Sequence, residues 1–175
     1  IGDQWTYRLS DDIRQVVDTV KVKIVGQGLL PNGDSAKIWT YSYQYGLKTY
    51  VDTVWVSYID SIARIYDRPS SYDVTRMPYE RLSYVFPLRV GNNWFTSVYY
   101  GDTTKILSEE TVSVPTGIFT NVFQIAKVRG YVTNSWTKDT IYYKEHVGLI
   151  KLKQNEYSLG PMLGNGLWEL ISYNV

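Results

Sequence analysis

The sequence predicts an all-β protein: a strongly curved antiparallel sheet, half-barrel or sandwich-like, made of two pseudo-repeated halves. The first observation behind this is compositional. Seventeen Tyr and 6 Trp stand against 2 Met in 175 residues. Aromatic and β-branched side chains suit a pleated, half-buried surface, and long runs of the helix formers Ala, Leu, Glu and Lys are missing. The second is that polar and apolar residues alternate with period two in several segments. The third is an internal echo. Gly2 and Trp5 recur as Gly91 and Trp94, 89 positions on. Asp18, Thr19 and Lys21 match Asp102, Thr103 and Lys105 at an offset of 84, as do Leu30-Pro31-Asn32-Gly33 and Val114-Pro115-Thr116-Gly117. Tyr50, Val51 and Trp55 match Tyr131, Val132 and Trp136 at 81. The landmarks keep their order while the offset shrinks, as shorter loops in the later copy would make it do.

The elements follow in order. Val20, Val22 and Ile24 alternate with Lys21 and Lys23, the pattern of a strand with one face buried. Leu30-Pro31-Asn32-Gly33-Asp34 is a turn, because Pro presets φ and Asn-Gly tolerates positive φ. Trp39, Tyr41, Tyr43 and Tyr45 then line one face of a strand, with Thr40, Ser42 and Gln44 opposite. Strands are predicted over 53–58 and 61–66. Residues 67–86, with Pro69, Ser70, Ser71 and Pro78, read as the connection between copies, with a helical turn at 79–82. A strand over 94–100 follows. Val112 and Val114 lead into the Pro115-Thr116-Gly117 turn, and Phe119, Phe123 and Ile125 follow at even spacing. Further strands are predicted over 141–144, 149–153 and 167–173, the last after an irregular stretch at 159–166. Large apolar residues such as Met77, Tyr79, Met162 and Leu163 in the irregular stretches argue against flexible linkers. The domain expectation is therefore one unit, 1–175, with a repeat at 1–66 and 87–153 joined by 67–86.

Composition narrows the function. The net charge of +1 comes from 18 basic and 17 acidic residues, scattered along the chain. No basic stripe points to nucleic acid, and no apolar run is long enough to span a membrane as a helix. Without Cys there is no disulfide, thiolate metal site or Cys nucleophile. The richness in Tyr, Thr, Ser, Asn and Gly suits an exported protein. Because the chain opens on Ile1 rather than Met, the expectation is a processed or trimmed form. A signal peptide or lipid-modified Cys would lie upstream of Ile1, so peripheral membrane attachment through a lipid anchor is one expected partner relation.

Two segments carry a family resemblance: Phe86-Pro87-Leu88-Arg89-Val90-Gly91-Asn92-Asn93-Trp94, and Thr111-Val112-Ser113-Val114-Pro115-Thr116-Gly117-Ile118-Phe119. With Tyr142-Tyr143 ahead of Val147-Gly148-Leu149-Ile150-Lys151, they resemble a group of uncharacterised bacterial envelope proteins, many of them lipoproteins. The patterns of that group are F-P-L-x-x-G-x-x-W, V-P-A-G-x-F and W-Y-x-x-x-V-G-L-V-K. Here Thr116 stands where Ala is usual, and Tyr142 where Trp often stands. The match covers residues 86–151. The resemblance implies an extracytoplasmic protein, periplasmic, anchored at the outer membrane or secreted, with a curved antiparallel sheet of the half-barrel kind. It carries over no catalytic residue. Physically, Gly beside Trp allows close backbone approach under a large ring, and Pro-x-Gly sets a tight turn.

Candidate chemistry is sparse. His146 is the single histidine, placed between Lys144-Glu145 and Val147-Gly148, where a turn is expected. A surface histidine is the simpler account, since no Ser or Cys motif accompanies it. No G-x-S-x-G, H-E-x-x-H, Walker or Rossmann pattern occurs. Asp11-Asp12 reads as a solvated hairpin loop, and Glu109 and Glu110, adjacent on a strand, point to opposite faces and do not converge. Asn32-Gly33-Asp34 lacks the other ligands of a calcium loop. The expectation is no catalytic residue, no metal and no cofactor.

The aromatic rows are the feature with functional content. Trp39, Tyr41, Tyr43 and Tyr45, with Tyr58, Trp136, Tyr142 and Tyr143, are placed to line a concave face that stacks on sugar rings or cradles an acyl chain. The plainer account is core packing, since sheet burial also selects Tyr at alternate positions. Gly2, Trp5, Pro31, Gly33, Gly91, Trp94, Pro115, Gly117, Phe119 and Gly148 are read as structural. Three functions remain: a noncatalytic envelope binding or carrier module for an apolar or sugar ligand, a subunit of a surface layer, fibre or larger complex pairing through sheet edges or with a protein partner, and a carboxylate hydrolase using Asp12, Glu109 or Glu110. The first predicts that the face around Trp39, Tyr41 and Tyr43 is partly open and forms the largest pocket.

Overall fold

The computed structural model describes residues 1–11, 16–45, 48–67, 76–78, 80–97, 102–130, 136–157 and 165–175. Among these, twelve antiparallel strands form one sheet: β1 (Gln4–Asp11), β2 (Val16–Leu29), β3 (Ser35–Tyr45), β4 (Lys48–Ile59), β5 (Ile62–Asp67), β6 (Glu80–Val85), β7 (Asn93–Ser97), β8 (Asp102–Val114), β9 (Gly117–Gly130), β10 (Trp136–Lys144), β11 (Gly148–Tyr157) and β12 (Asn165–Asn174). The order is β6-β5-β4-β3-β2-β1-β12-β11-β10-β9-β8-β7. Each strand therefore pairs with its sequence neighbours, the first and last strands pair with each other, and the one gap in the ladder falls mid-chain, between β6 and β7. The sheet rolls into a nearly closed barrel, further round than a half-barrel and without a second layer. Register shifts at Ile24/Gly26, Ile106/Ser108, Glu110/Val112 and Tyr142/Tyr143 add the local twist and bend that rolling requires.

The alternation read in the sequence decides which side faces in. Val20, Val22 and Ile24 are buried while Lys21 and Lys23 are exposed. With Trp5, Tyr7, Ile150 and Leu170 they form the main core cluster; a second cluster gathers Leu88, Ile106, Ile125 and Ile141. A third, of Leu30, Ala36 and Tyr66 with Trp55 against it, lies on the outer face, since Ala36 alternates with inward Lys37 and Trp39. Gly28 makes room there: a Cβ on it would stand 2.5 Å from the Trp55 ring.

Two stretches differ from expectation. Of the helical turn expected at 79–82, residues 80–82 are instead part of a strand: β6 pairs with β5, Ile62 opposite Val85 and Ala63 opposite Tyr84. The open edge of β5 offers a ladder that outweighs the Pro-flanked local signal. The connection expected at 67–86 therefore includes a strand, and among the described residues six strands stand on each side of the gap between β6 and β7. The strand expected from Ser61 begins at Ile62, because Asp60 and Ser61 both have positive φ (51° and 63°) and form the two-residue hairpin loop. Tyr79, Asp12, Tyr131, Val132, and the stretches 68–75 and 158–164 lie outside the described residues.

The landmarks of the expected repeat fall on strands of matching rank, Trp5 on β1 and Trp94 on β7, with Pro31 and Pro115 in the turns after β2 and β8. Gly2 and Gly91 both have positive φ (100° and 92°). Gly2 N donates to Ile24 O at 3.1 Å, and Gly91 N to Ile106 O at 2.9 Å. The two indoles part company: Trp5 Nε1 donates to Val147 O at 2.6 Å, Trp94 Nε1 to Ser83 O at 3.0 Å. The Trp94 bond spans the gap between β7 and β6. Gly33 and Gly117 also have positive φ (89° and 145°) in the turns that follow Pro31 and Pro115.

The long β8–β9 hairpin reaches past its neighbours to β12. Thr116 donates to Leu170 O through both its amide (3.3 Å) and its hydroxyl (2.8 Å), and Phe119 packs on Tyr173 with ring centroids 6.1 Å apart. Nearby on the wall, Glu169 accepts from Arg8 at 2.5 Å and from Lys151 at 3.0 Å. Burial works to raise its pKa, but these two partners outweigh it and hold the carboxyl below its usual range. A depressed carboxyl contributes stability that is present above its unfolded pKa and lost as pH falls through the folded one. Glu169→Gln is therefore expected to cost roughly 1–2 kcal/mol near neutral pH, discounted for the exposure of Arg8. Urea unfolding should show that gap closing as pH falls below about 4.

Candidate functional site

Inside the barrel lies a cavity of about 860 Å³. β1 lines it with Trp5, Tyr7 and Leu9, β2 with Val20, Val22 and Ile24, and β3 with Trp39, Tyr41 and Tyr43; Tyr84, Tyr143 and Trp168 complete the aromatic wall. Positions two apart on a strand share a face, so the alternation that builds the core also delivers these rings to one space. Trp5 and Trp39 stack with centroids 5.1 Å apart and planes 9° from parallel. Tyr84 and Tyr143 stack at 5.6 Å, a contact between β6 and β10 across the interior.

Four tyrosines, Tyr7, Tyr41, Tyr84 and Tyr143, line the cavity together. Burial chiefly, and then the neighbouring tyrosines, push Tyr7 and Tyr84 well above the ordinary phenol value. Tyr143 is raised by burial first and by Glu145 second. These phenols stay protonated at any physiological pH and serve as neutral hydrogen-bonding groups in an apolar wall. Tyr7 Oη already donates to Leu149 O at 3.0 Å. The Trp39 indole N–H is buried and has no acceptor among the described residues.

The expected aromatic row divides. Trp39, Tyr41, Tyr43 and Tyr143 line the cavity. Tyr58 does not: it is 63% exposed and borders a smaller recess of about 440 Å³ with Ser61, Phe86, Pro87, Tyr143, Glu145 and His146. The odd placement follows from β4, where Val54 faces the cavity and Tyr58 sits at the strand's end beside the Asp60-Ser61 turn. Tyr142 is buried in the main cluster, away from the cavity lining. The side chains of Tyr45 and Trp136 lie outside the described residues, although their strands are in place. The sequence reasoning missed Trp5, Tyr7, Tyr84 and Trp168 as cavity residues. Trp5 and Tyr7, with Leu9, carry the same period-two signal as the row it did select. Trp5, read as structural, is both: Gly148, with φ of 100°, brings its backbone against the ring, and a Cβ there would lie 3.6 Å from Trp5 Nε1.

His146 is exposed in the turn between β10 and β11. Glu109 and Glu110 are both exposed, opposite Phe123 and Val122, and Asp12 lies outside the described residues. Among the described residues no three His, Asp or Glu side chains come together as a metal site.

Fold and cavity together define a single-sheet, up-and-down β-barrel with an aromatic-lined interior. No protein-family model and no curated protein matches this chain in sequence. Two solved structures are similar in fold. One is a Bacteroides fragilis protein described as exported and of YMCC-like fold, with a TM-score of 0.58, 10% identity, and coverage of 99% of this chain and 96% of that one. The other is a Parabacteroides distasonis protein described as a lipoprotein, with a TM-score of 0.46 at 11% identity over 99% and 95%; a likeness that slight carries no argument. At this identity the first shows a shared fold.

Proposed function

We propose that this protein is a noncatalytic carrier of the bacterial envelope that holds an apolar ligand inside its barrel. The observation that carries the reading is the cavity: about 860 Å³, walled by Trp5, Tyr7, Trp39, Tyr41, Tyr84 and Tyr143. That volume is in the range of small-molecule sites, which are mostly apolar with a few placed polar groups. Larger barrels enclose such cavities, whereas small ones fill with side chains. The extracytoplasmic placement is supported by the fold shared with a protein described as exported, and by the motif resemblance. Assembly through sheet edges is less well supported, because the two edge strands face each other and Trp94 ties β7 to Ser83 of β6.

The test uses N-phenyl-1-naphthylamine, an uncharged dye that brightens in apolar surroundings. It is expected to bind saturably at one site per chain. Tyr41→Ser and Tyr143→Ser should each weaken it by about tenfold, roughly 1.4 kcal/mol for the loss of one ring contact. Tyr58→Ser should leave it unchanged. No saturable binding, or equal loss in all three variants, would remove the carrier reading.

A further inference from the structure

The cavity wall is graded along the barrel, and the strand register makes the grading explicit. Cross-strand partners share a face. One row runs Ile106, Ile125, Ile141, Leu152, Trp168 and Leu9 across β8 to β12 and on to β1. It is wholly apolar. Two residues further toward the end where β9 gives way to β10, the next row on the same face is Thr104, Lys127, Asp139, Gln154 and Gly166. It holds no apolar side chain. Thr104 is fully buried and Lys127 is 5% exposed; Lys127, Asp139 and Gln154 line the cavity together with Ile141, Leu152 and Trp168. Gly166 belongs to the device: a Cβ there would stand 3.3 Å from Gln154 Oε1, so the glycine leaves the space in which that amide lies.

A buried band of this kind is costly unless its groups are hydrogen-bonded, and ordinary barrel filling does not call for it one step from a ladder of Ile and Leu. We propose that the cavity takes a single-chain amphiphile with an uncharged, hydrogen-bonding head group, its chain along Ile141, Leu152 and Trp168 and its head at Lys127, Asp139 and Gln154. This rests on the carrier reading and adds the class of ligand. The charge balance selects against an anionic head. The acids lining the cavity are Asp3, Asp52 and Asp139, the basic side chains Lys37, Lys127 and His146, and Asp102, fully buried on β8 two residues before Thr104, adds a fourth acid. A carboxylate would enter a site with no net positive charge to meet it. A hydroxyl or amide head needs only donors and acceptors, which Lys127, Asp139 and Gln154 supply.

The experiment loads the full chain with N-phenyl-1-naphthylamine and competes it with 1-lauroylglycerol or laurate, both below their micellar concentrations, at about pH 8 where laurate is ionised. 1-Lauroylglycerol is expected to displace the dye at about tenfold lower concentration than laurate. Gln154→Leu should bring the two within about twofold by weakening the glycerol ester. Asp139→Asn, nearly isosteric, should narrow the same ratio by strengthening laurate. Equal or better competition by laurate in the unmodified protein overturns the proposal, as does an unchanged ratio in both folded variants. Dye binding without head-group preference removes this inference and leaves the carrier reading intact; absence of dye binding removes both.

Discussion

Replacing Trp5 by Ala is expected to destabilise the barrel by about 3–5 kcal/mol, as loss of a buried large aromatic does. For a chain of this size that lowers the thermal midpoint by roughly 6–20 °C. The ring is 6% exposed, stacks on Trp39 at 5.1 Å and donates through Nε1 to Val147 O at 2.6 Å. It thus joins β1, β3 and the turn between β10 and β11, elements that do not pair with one another in the sheet. Trp5→Phe restores most of the area but not the donor, and should recover all but about 1–2 kcal/mol, the cost of leaving the part-buried Val147 carbonyl without its indole donor. Thermal unfolding by circular dichroism checks both. A loss under 1 kcal/mol for Trp5→Ala would mean that the interior is not organised around this ring.

The second large effect is expected at Leu170, on β12. It is fully buried in the cluster with Val112, Val114 and Val122, and its carbonyl accepts both bonds from Thr116. Leu170→Ala should cost about 2–5 kcal/mol and free the β8–β9 hairpin from the wall. Ile118, 73% exposed two residues beyond Thr116, is the control, and its replacement by Ala should change stability by under about 0.5 kcal/mol. Hydrogen exchange reads the hairpin directly. In Leu170→Ala the Thr116 amide should lose protection while amides in β2 and β3 keep theirs. Uniform loss across the sheet would show that the hairpin is not a separate clasp.

Much of this was legible in the chain because period-two alternation is a local signal. Val20, Val22, Ile24 and Trp39, Tyr41, Tyr43 declare both the strand and the face, and Pro31-Asn32-Gly33 and Pro115-Thr116-Gly117 declare the turns between them. What escaped is what depends on distant partners. β6 was obscured because Pro78 and Pro87 bracket it, and only the open edge of β5 makes Glu80–Val85 extended. The closure of the sheet was equally hidden, since it rests on β1 meeting β12 at opposite ends of the chain. Tyr58 was grouped with the cavity on residue type; its place at the end of β4, beside the Asp60-Ser61 turn, puts it outside. The polar row of Lys127, Asp139 and Gln154 has no sequence signature at all. Lys127 stands between Ala126 and Val128, but Asp139 lies between Lys138 and Thr140 and Gln154 between Lys153 and Asn155, so no common pattern marks them, and only the register lines the three up.

The most direct measurement is a crystal structure of the protein with N-phenyl-1-naphthylamine bound. The account predicts the naphthyl rings inside the barrel, within van der Waals contact, about 4 Å, of Trp39, Tyr41 and Tyr143. Dye seated on the outer wall, or an interior closed over by the protein's own side chains with no room for it, would contradict the account.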